Sequence, residues 1–198
     1  MSNIINTAER NEKDLIARLK KGQEAAYQML MRQYQEKLYY IAYGITLDSE
    51  ESREIVQEVF IKVFRRIHSF REESKLFTWL RKITVNESLN WQRKLKRRFK
   101  WHHQSLEKED TYDIVENKSD MDTPQSLYEK EELKKDLEDG LKSLPEDART
   151  VFILKELEGL SYEEIARILN INKGTVSSRL FYARQRLRDL LFDRGKER

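Results

Sequence analysis

Residues 161–191 read SYEEIARILNINKGTVSSRLFYARQRLRDLL, and their spacing decides the fold. Ser161 with Glu164 three positions on forms a capping box, which starts a helix. Ile165, Ala166 and Leu169 give that helix an apolar face. Asn170 then supplies a residue that tolerates the left-handed backbone of a sharp turn. A second helix opens near residues 173–175 and carries Val176, Leu180, Ala183 and Leu187 along one stripe at helical period. The same period leaves Ser177, Ser178, Phe181, Tyr182 and Gln185 on the opposite face, flanked by Arg179, Arg184, Arg186 and Arg188. Ser and Gln can bond base edges, an aromatic edge can meet a thymine methyl, and the arginines can hold phosphates. An ordinary helix hairpin would account for the stripe alone. Cap, turn residue, period and basic rim together predict a DNA-reading helix-turn-helix.

The whole chain has the composition such a motif needs around it. Of 198 residues 37% are charged and 38% hydrophobic, with two Pro and six Gly, which favours long, charged helices with small cores. Alternating β-branched residues are scarce. The expected fold is therefore all-α, with two small helical domains joined by a flexible acidic linker. The absence of Cys removes disulfide and thiolate chemistry and fits a reducing compartment. No apolar run approaches a membrane span, and the first residues lack a signal-peptide core, so a cytoplasmic protein is expected.

Catalysis finds no footing. The three His are His68 and the adjacent His102 and His103, without metal-ligand spacing, and there is no glycine-rich phosphate loop. No catalytic residue, cofactor or metal is expected.

Net charge is only +3, but its distribution is uneven. Between Gln92 and His103 stand Arg93, Lys94, Lys96, Arg97, Arg98 and Lys100 with no acid; between Ser105 and Pro124 there are seven acids and two lysines. That reversal marks a boundary. The domain expectation is a flexible start over 1–13, an N-terminal domain over 14–100, an acidic linker over 101–124 and a C-terminal domain over 125–198. Within the first domain, helices are expected near 14–19, 24–44 (apolar positions Tyr27, Leu30, Met31, Tyr34, Leu38, Ile41), from 49 onward (Ile55, Val56, Val59, Phe60, Val63, Phe64, Ile67) and over 77–100. Within the second they are expected near 125–143 and 145–158, ahead of the two already described. Pro145 stands where helices begin and Gly159 where they end.

The helix over 77–100 carries a second nucleic-acid signal. Trp79, Arg81, Lys82, Asn86, Asn90, Trp91 and Arg93 follow Phe70, Arg71 and Phe77. Aromatic planes interleaved with cations and amides suit single-stranded DNA, whose bases stack while its backbone is held. Trp79, Leu80 and Ile83 equally suit a core. Asn86, mid-helix, contributes little to stability and is harder to explain by packing.

Two blocks in this order, with an acidic stretch between them, resemble a known family. A helix ending Gln57-Glu58-x-Phe60 is followed by SFREESKLFTWLRKITVNESLNWQRK (69–94), and later by LKSLPEDARTVFILKELEGLSYEEIARILNINKGTVSSRLFYARQRL (141–187). The chain is similar, over roughly 14–191, to bacterial RNA polymerase sigma factors, specifically the compact extracytoplasmic function group.

The resemblance implies core RNA polymerase and promoter DNA as partners. The third helix would dock on the clamp coiled coil of the largest subunit through Arg53, Glu54, Gln57, Glu58 and Ile61. A solvated charged face is the plainer reading of those residues. The C-terminal domain would sit with the flap of the second-largest subunit. The loop and fourth helix would melt and hold the −10 element through Phe70, Arg71, Glu72, Glu73, Trp79, Arg81, Lys82, Asn86 and Arg93, with Phe70 and Asn86 lining a pocket for a flipped base. A protein without an ATPase motif can open DNA only by trapping an unstacked base, which offsets an unstacking cost of about a few kcal/mol. Glu72 or Glu73 would select that base by accepting from a cytosine amino group.

The C-terminal domain would read the −35 element with Thr175, Ser177, Ser178, Phe181 and Tyr182 on bases and Lys173, Arg179 and Arg184 on phosphates. Family members often carry Arg or Lys at the positions of Ser177 and Tyr182, so −35 contacts here should depend less on charge. An anti-sigma factor is also implied, one able to hold the chain at a membrane without its being a membrane protein. The competing reading is a conventional helix-turn-helix regulator binding duplex operators as a dimer.

Overall fold

The computed structural model describes residues 2–101 and 135–196, with side chains over 10–97 and 135–190. The described residues are helical without a strand, and the chain divides into two units between Ser105 and Leu106. The acidic stretch expected as a linker over 101–124 lies, past Trp101, outside the described residues.

In the N-terminal unit, α1 spans Ser2–Lys20, α2 Glu24–Thr46, α3 Ser49–Arg66 and α4 Leu76–Trp101, with a short 3-10 turn at Ile67–Ser69. The first helix thus starts at Ser2 and runs through the 1–13 that polarity alone suggests to be flexible. Its sequence contains no Gly or Pro to break it, and Glu12 is tied to the start of α4, where it accepts a hydrogen bond from the Leu76 amide at 2.9 Å. The helix ends at Gly22, whose φ of +70° places it in the left-handed region. There the Gln23 amide donates to the Arg18 carbonyl and the Gly22 amide to the Leu19 carbonyl, a paired C-terminal cap.

Asp48 caps α3 by accepting from the Glu51 amide at 2.9 Å. Leu19, Leu30, Leu38, Ile41, Ile45, Val59, Val63, Ile67, Leu76 and Leu80 form the core between the four helices. Two residues expected on the apolar stripes lie outside it. Met31 stands one position round from Leu30 on α2 and is exposed; Phe64 on α3 is 61% exposed, its ring 5.1 Å from that of Tyr27 on α2.

In the C-terminal unit the described part of α5 covers 135–142, followed by α6 (Glu146–Phe152), α7 (Tyr162–Leu169) and α8 (Lys173–Lys196). The stretch expected as one helix over 145–158 changes pitch: α6 passes into a π-helical turn at Ile153–Leu157. Along this wider turn Ile153 and Leu154 are fully buried and Leu157 faces out. Gly140 has a packing role, since a Cβ there would stand 2.8 Å from Leu187 of α8.

The expected capping box is present, with the Glu164 amide donating to Ser161 Oγ and the Ser161 amide to Glu164 Oε2. Asn170 takes φ +54° and ψ +50°, and the turn closes with the Ile171 amide donating to the Ala166 carbonyl. Asn170→Ala should therefore destabilise this unit by about 1 kcal/mol, while Asn170→Gly should leave it unchanged or firmer. Thermal unfolding followed by circular dichroism checks the pair.

Candidate nucleic-acid interfaces

The C-terminal unit builds its outward face from the inside. Val176, Leu180 and Ala183 are fully buried against the rest of the unit and Leu187 is half-buried, which fixes the rotation of α8. Ser177, Ser178, Phe181 and Tyr182 consequently point away from the core, with Phe181 71% exposed. Among the described residues of the unit nothing covers this phenylalanine, which stands beside an exposed tyrosine on a basic helix. Thr175 is half-buried, and its carbonyl accepts from Ser178 Oγ at 3.1 Å.

The three cations expected on phosphates each meet an acid from another element. Lys173 Nζ donates to Glu163 Oε1 of α7, and this bond holds the Glu163 carboxyl below the usual carboxylate range. Arg179 Nη2 donates to Asp147 Oδ2 of α6 at 2.5 Å. Arg184 donates through Nε and Nη2 to Glu156 Oε1 of the π turn at 2.9 and 2.6 Å. The acids were not visible as part of this face, because their partners lie 10, 32 and 28 residues away.

In the N-terminal unit, helical spacing aligns Trp79, Lys82, Asn86, Asn90 and Arg93 along one strip of α4. Lys82, Asn90 and Arg93 are exposed and Trp79 and Asn86 half-buried; Arg93 Nη1 donates to Asn90 Oδ1 at 3.0 Å. Asn90, named with this helix's nucleic-acid signal though not among the residues assigned to the −10 element, lies one turn from Asn86 on the same strip. Phe70 stands differently from the other loop residues: it is 5% exposed and packs under Trp79, ring centroids 5.0 Å apart. It supports the indole rather than offering a free ring.

Arg81 also leaves the strip. It is 9% exposed, with its guanidinium over the Phe77 ring at 4.7 Å, and Phe77 stacks in turn on Tyr34 at 5.7 Å. Arg71, Glu72 and Glu73 are exposed on the loop between α3 and α4.

The outer face of α3 carries Arg53, Glu54, Gln57 and Ile61 in the open, with Glu58 half-buried and 3.5 Å from Lys62. Lys62 is also 2.5 Å from Glu87 and so links α3 to α4. Gln57, Ile61 and Phe64 follow one another at helical spacing, so the polar face merges into an apolar patch. Among the described residues no acid, His or Cys cluster could hold a metal, and no helix is long and apolar enough to cross a membrane.

These faces fall in the parts of the chain that match known proteins. Residues 30–98 match the family Sigma-70 region 2, and residues 134–187 match Sigma-70, region 4. The chain is 39% identical over 173 residues to the ECF RNA polymerase sigma-E factor of Haemophilus influenzae, which spans 86% of this chain and 90% of that one. It is 36% identical over 171 residues to the ECF RNA polymerase sigma-E factor of Escherichia coli, spanning 86% and 89%. Among solved structures, the sigma factor RpoE of Bartonella quintana, seen in complex with the anti-sigma factor NepR, is similar with a TM-score of 0.65 at 25% identity. That match covers 83% of this chain and 96% of the other. The chain belongs to the extracytoplasmic function group of RNA polymerase sigma factors, which are initiation factors and not enzymes.

Proposed function

We propose that this sigma factor divides promoter recognition between its units. Residues 14–100 bind the clamp coiled coil of core polymerase through the outer face of α3 and hold the opened −10 element on the loop and α4. Residues 125–198 read the −35 element as duplex with α8 and rest against the flap, and 101–124 tether the two. The observation that supports this most directly is that each unit presents its own aromatic-and-polar strip, one fit for stacked single strands and one for a groove. An operator-binding dimer would leave the α4 strip without a task. The chain would work in the bacterial cytoplasm. A regulating anti-sigma partner is suggested by the Bartonella relative's complex.

Run-off transcription with core polymerase on a cognate template tests the reading: initiation should require this chain, and the chain alone should bind duplex poorly. Within it, Arg184→Ala should weaken binding to all −35 sequences alike and reduce the slope of log affinity against log salt by about 1. Anisotropy titrations across salt concentrations measure both. A change in sequence preference alone would move Arg184 from the phosphate backbone to a base.

A further inference from the structure

Helix α1 touches the loop between α3 and α4 at one point and the start of α4 at another. Lys20, its last residue, brings Nζ to 2.6 Å from Glu72 Oε1. Glu12, two turns earlier, accepts from the Leu76 amide at the first residue of α4. The two contacts bracket a segment whose ends are already fixed, since Phe70 is buried under Trp79 and Leu76 is fully buried.

Glu72 has φ +60°, a left-handed backbone that residues other than glycine rarely adopt, and its carboxylate is paired with Lys20. Glu12 also lies near Tyr34: burial first, and the Glu12 charge second, push the Tyr34 hydroxyl above its ordinary value. Because Tyr34 stacks on Phe77, Glu12 is lodged where α1, α2 and the start of α4 converge. Arg71 and Glu73 differ from Glu72. Both are exposed, and neither makes a hydrogen bond or ion pair among the described residues.

We propose that Glu12 and Lys20 are positioning residues for base selection: α1 holds the loop by Glu72 and by the Leu76 amide, and so leaves Arg71 and Glu73 as the side chains that meet a displaced base. The inference rests on the −10 reading above and deepens it. The pairing also settles how two adjacent acids tolerate DNA. Lys20 offsets the charge of Glu72, and the Glu73 carboxylate, an acceptor only, matches the amino donor of cytosine.

The test is run-off transcription by holoenzyme on four templates that differ only in the displaced −10 base. Lys20→Met and Glu12→Ala should each narrow the ratio between best and worst base by about two- to fivefold, the range for losing one exposed polar tie. Lys20→Arg keeps the charge and Glu12→Gln keeps the acceptor oxygen, so both should restore the ratio. Glu73→Gln should change which base is preferred and Glu72→Gln should not. Core binding and the thermal midpoint, measured alongside, should stay with the unaltered protein. Unchanged ratios in Lys20→Met and Glu12→Ala, or equal losses on all four templates, would overturn the inference while leaving the −10 reading intact. Absence of initiation by the unaltered chain on every template would overturn the reading beneath and the inference with it.

Discussion

Leu180→Ala is expected to unfold the C-terminal unit while the N-terminal unit stays folded. Leu180 has no exposed surface and sits mid-stripe on α8, between Val176 and Ala183, where α8 meets the rest of the unit. Truncating a fully buried leucine costs about 2–5 kcal/mol, through lost transfer energy and the cavity left behind. A helical unit this small has a stability of the same order, so the folded fraction should collapse rather than decline.

The chain offers a clean readout. Its three Trp are Trp79, Trp91 and Trp101, all in the N-terminal unit, so indole fluorescence follows that unit alone, whereas circular dichroism follows both. In Leu180→Ala the fluorescence midpoint should stay while dichroism loses amplitude at low temperature. Transcription from promoters that need a −35 element should fall with it. A fluorescence midpoint that moves with the dichroism would mean the units unfold as one.

What the sequence disclosed and what it withheld separate by distance along the chain. The capping box at Ser161, the left-handed Asn170 and the exposed Phe181 and Tyr182 are set by neighbours within a turn or two, and each was readable from spacing. The stripe of α4 was readable for the same reason. Its residue Arg81 was misleading, because a guanidinium can lie flat on an aromatic ring and be buried there, and no periodicity announces that Phe77 is beneath it. Nor does spacing announce that Phe70 is buried under Trp79.

The ion pairs that organise both faces are invisible at the level of spacing. Lys20 meets Glu72 across 52 residues and Arg179 meets Asp147 across 32, and in a chain with 37% charged residues many such pairings are formally open. Only the packed fold chooses among them. The pitch change at Ile153–Leu157 carries no local sequence signal either: Leu15-Ile16 and Ile55-Val56 are likewise consecutive and buried, yet lie in regular α-helix.

Neutralising Asp147, Glu156 and Glu163 together should tighten duplex binding by the C-terminal unit and steepen its salt dependence. The cations proposed for phosphates, Lys173, Arg179 and Arg184, are each engaged by one of these carboxylates in the free protein. Binding DNA therefore exchanges one anion for another, and the gain per contact is only the difference between phosphate and carboxylate. Exposed pairs of this kind contribute about 0.2–1 kcal/mol each, so freeing Arg179 and Arg184 corresponds to roughly a two- to thirtyfold gain in affinity.

Glu163→Gln acts in the same direction. The Lys173 bond lowers the Glu163 carboxyl from its ordinary value, so that pair persists at neutral pH and is lost only as pH falls through the lowered value. Acidifying the unaltered protein to that range should thus free Lys173 without mutation. Asp147 and Glu163 also stand in the first turns of α6 and α7, where a negative charge favours the helix start. For this reason the isosteric Asp147→Asn, Glu156→Gln and Glu163→Gln are preferred to alanine, and binding is to be measured well below the thermal midpoint. Each freed cation that reaches a phosphate should add about 0.9 to the slope of log affinity against log salt. If affinity rises without a steeper slope, the acids act by bulk repulsion of DNA and the cations stay off the backbone; if neither changes, Lys173, Arg179 and Arg184 do not face the duplex at all.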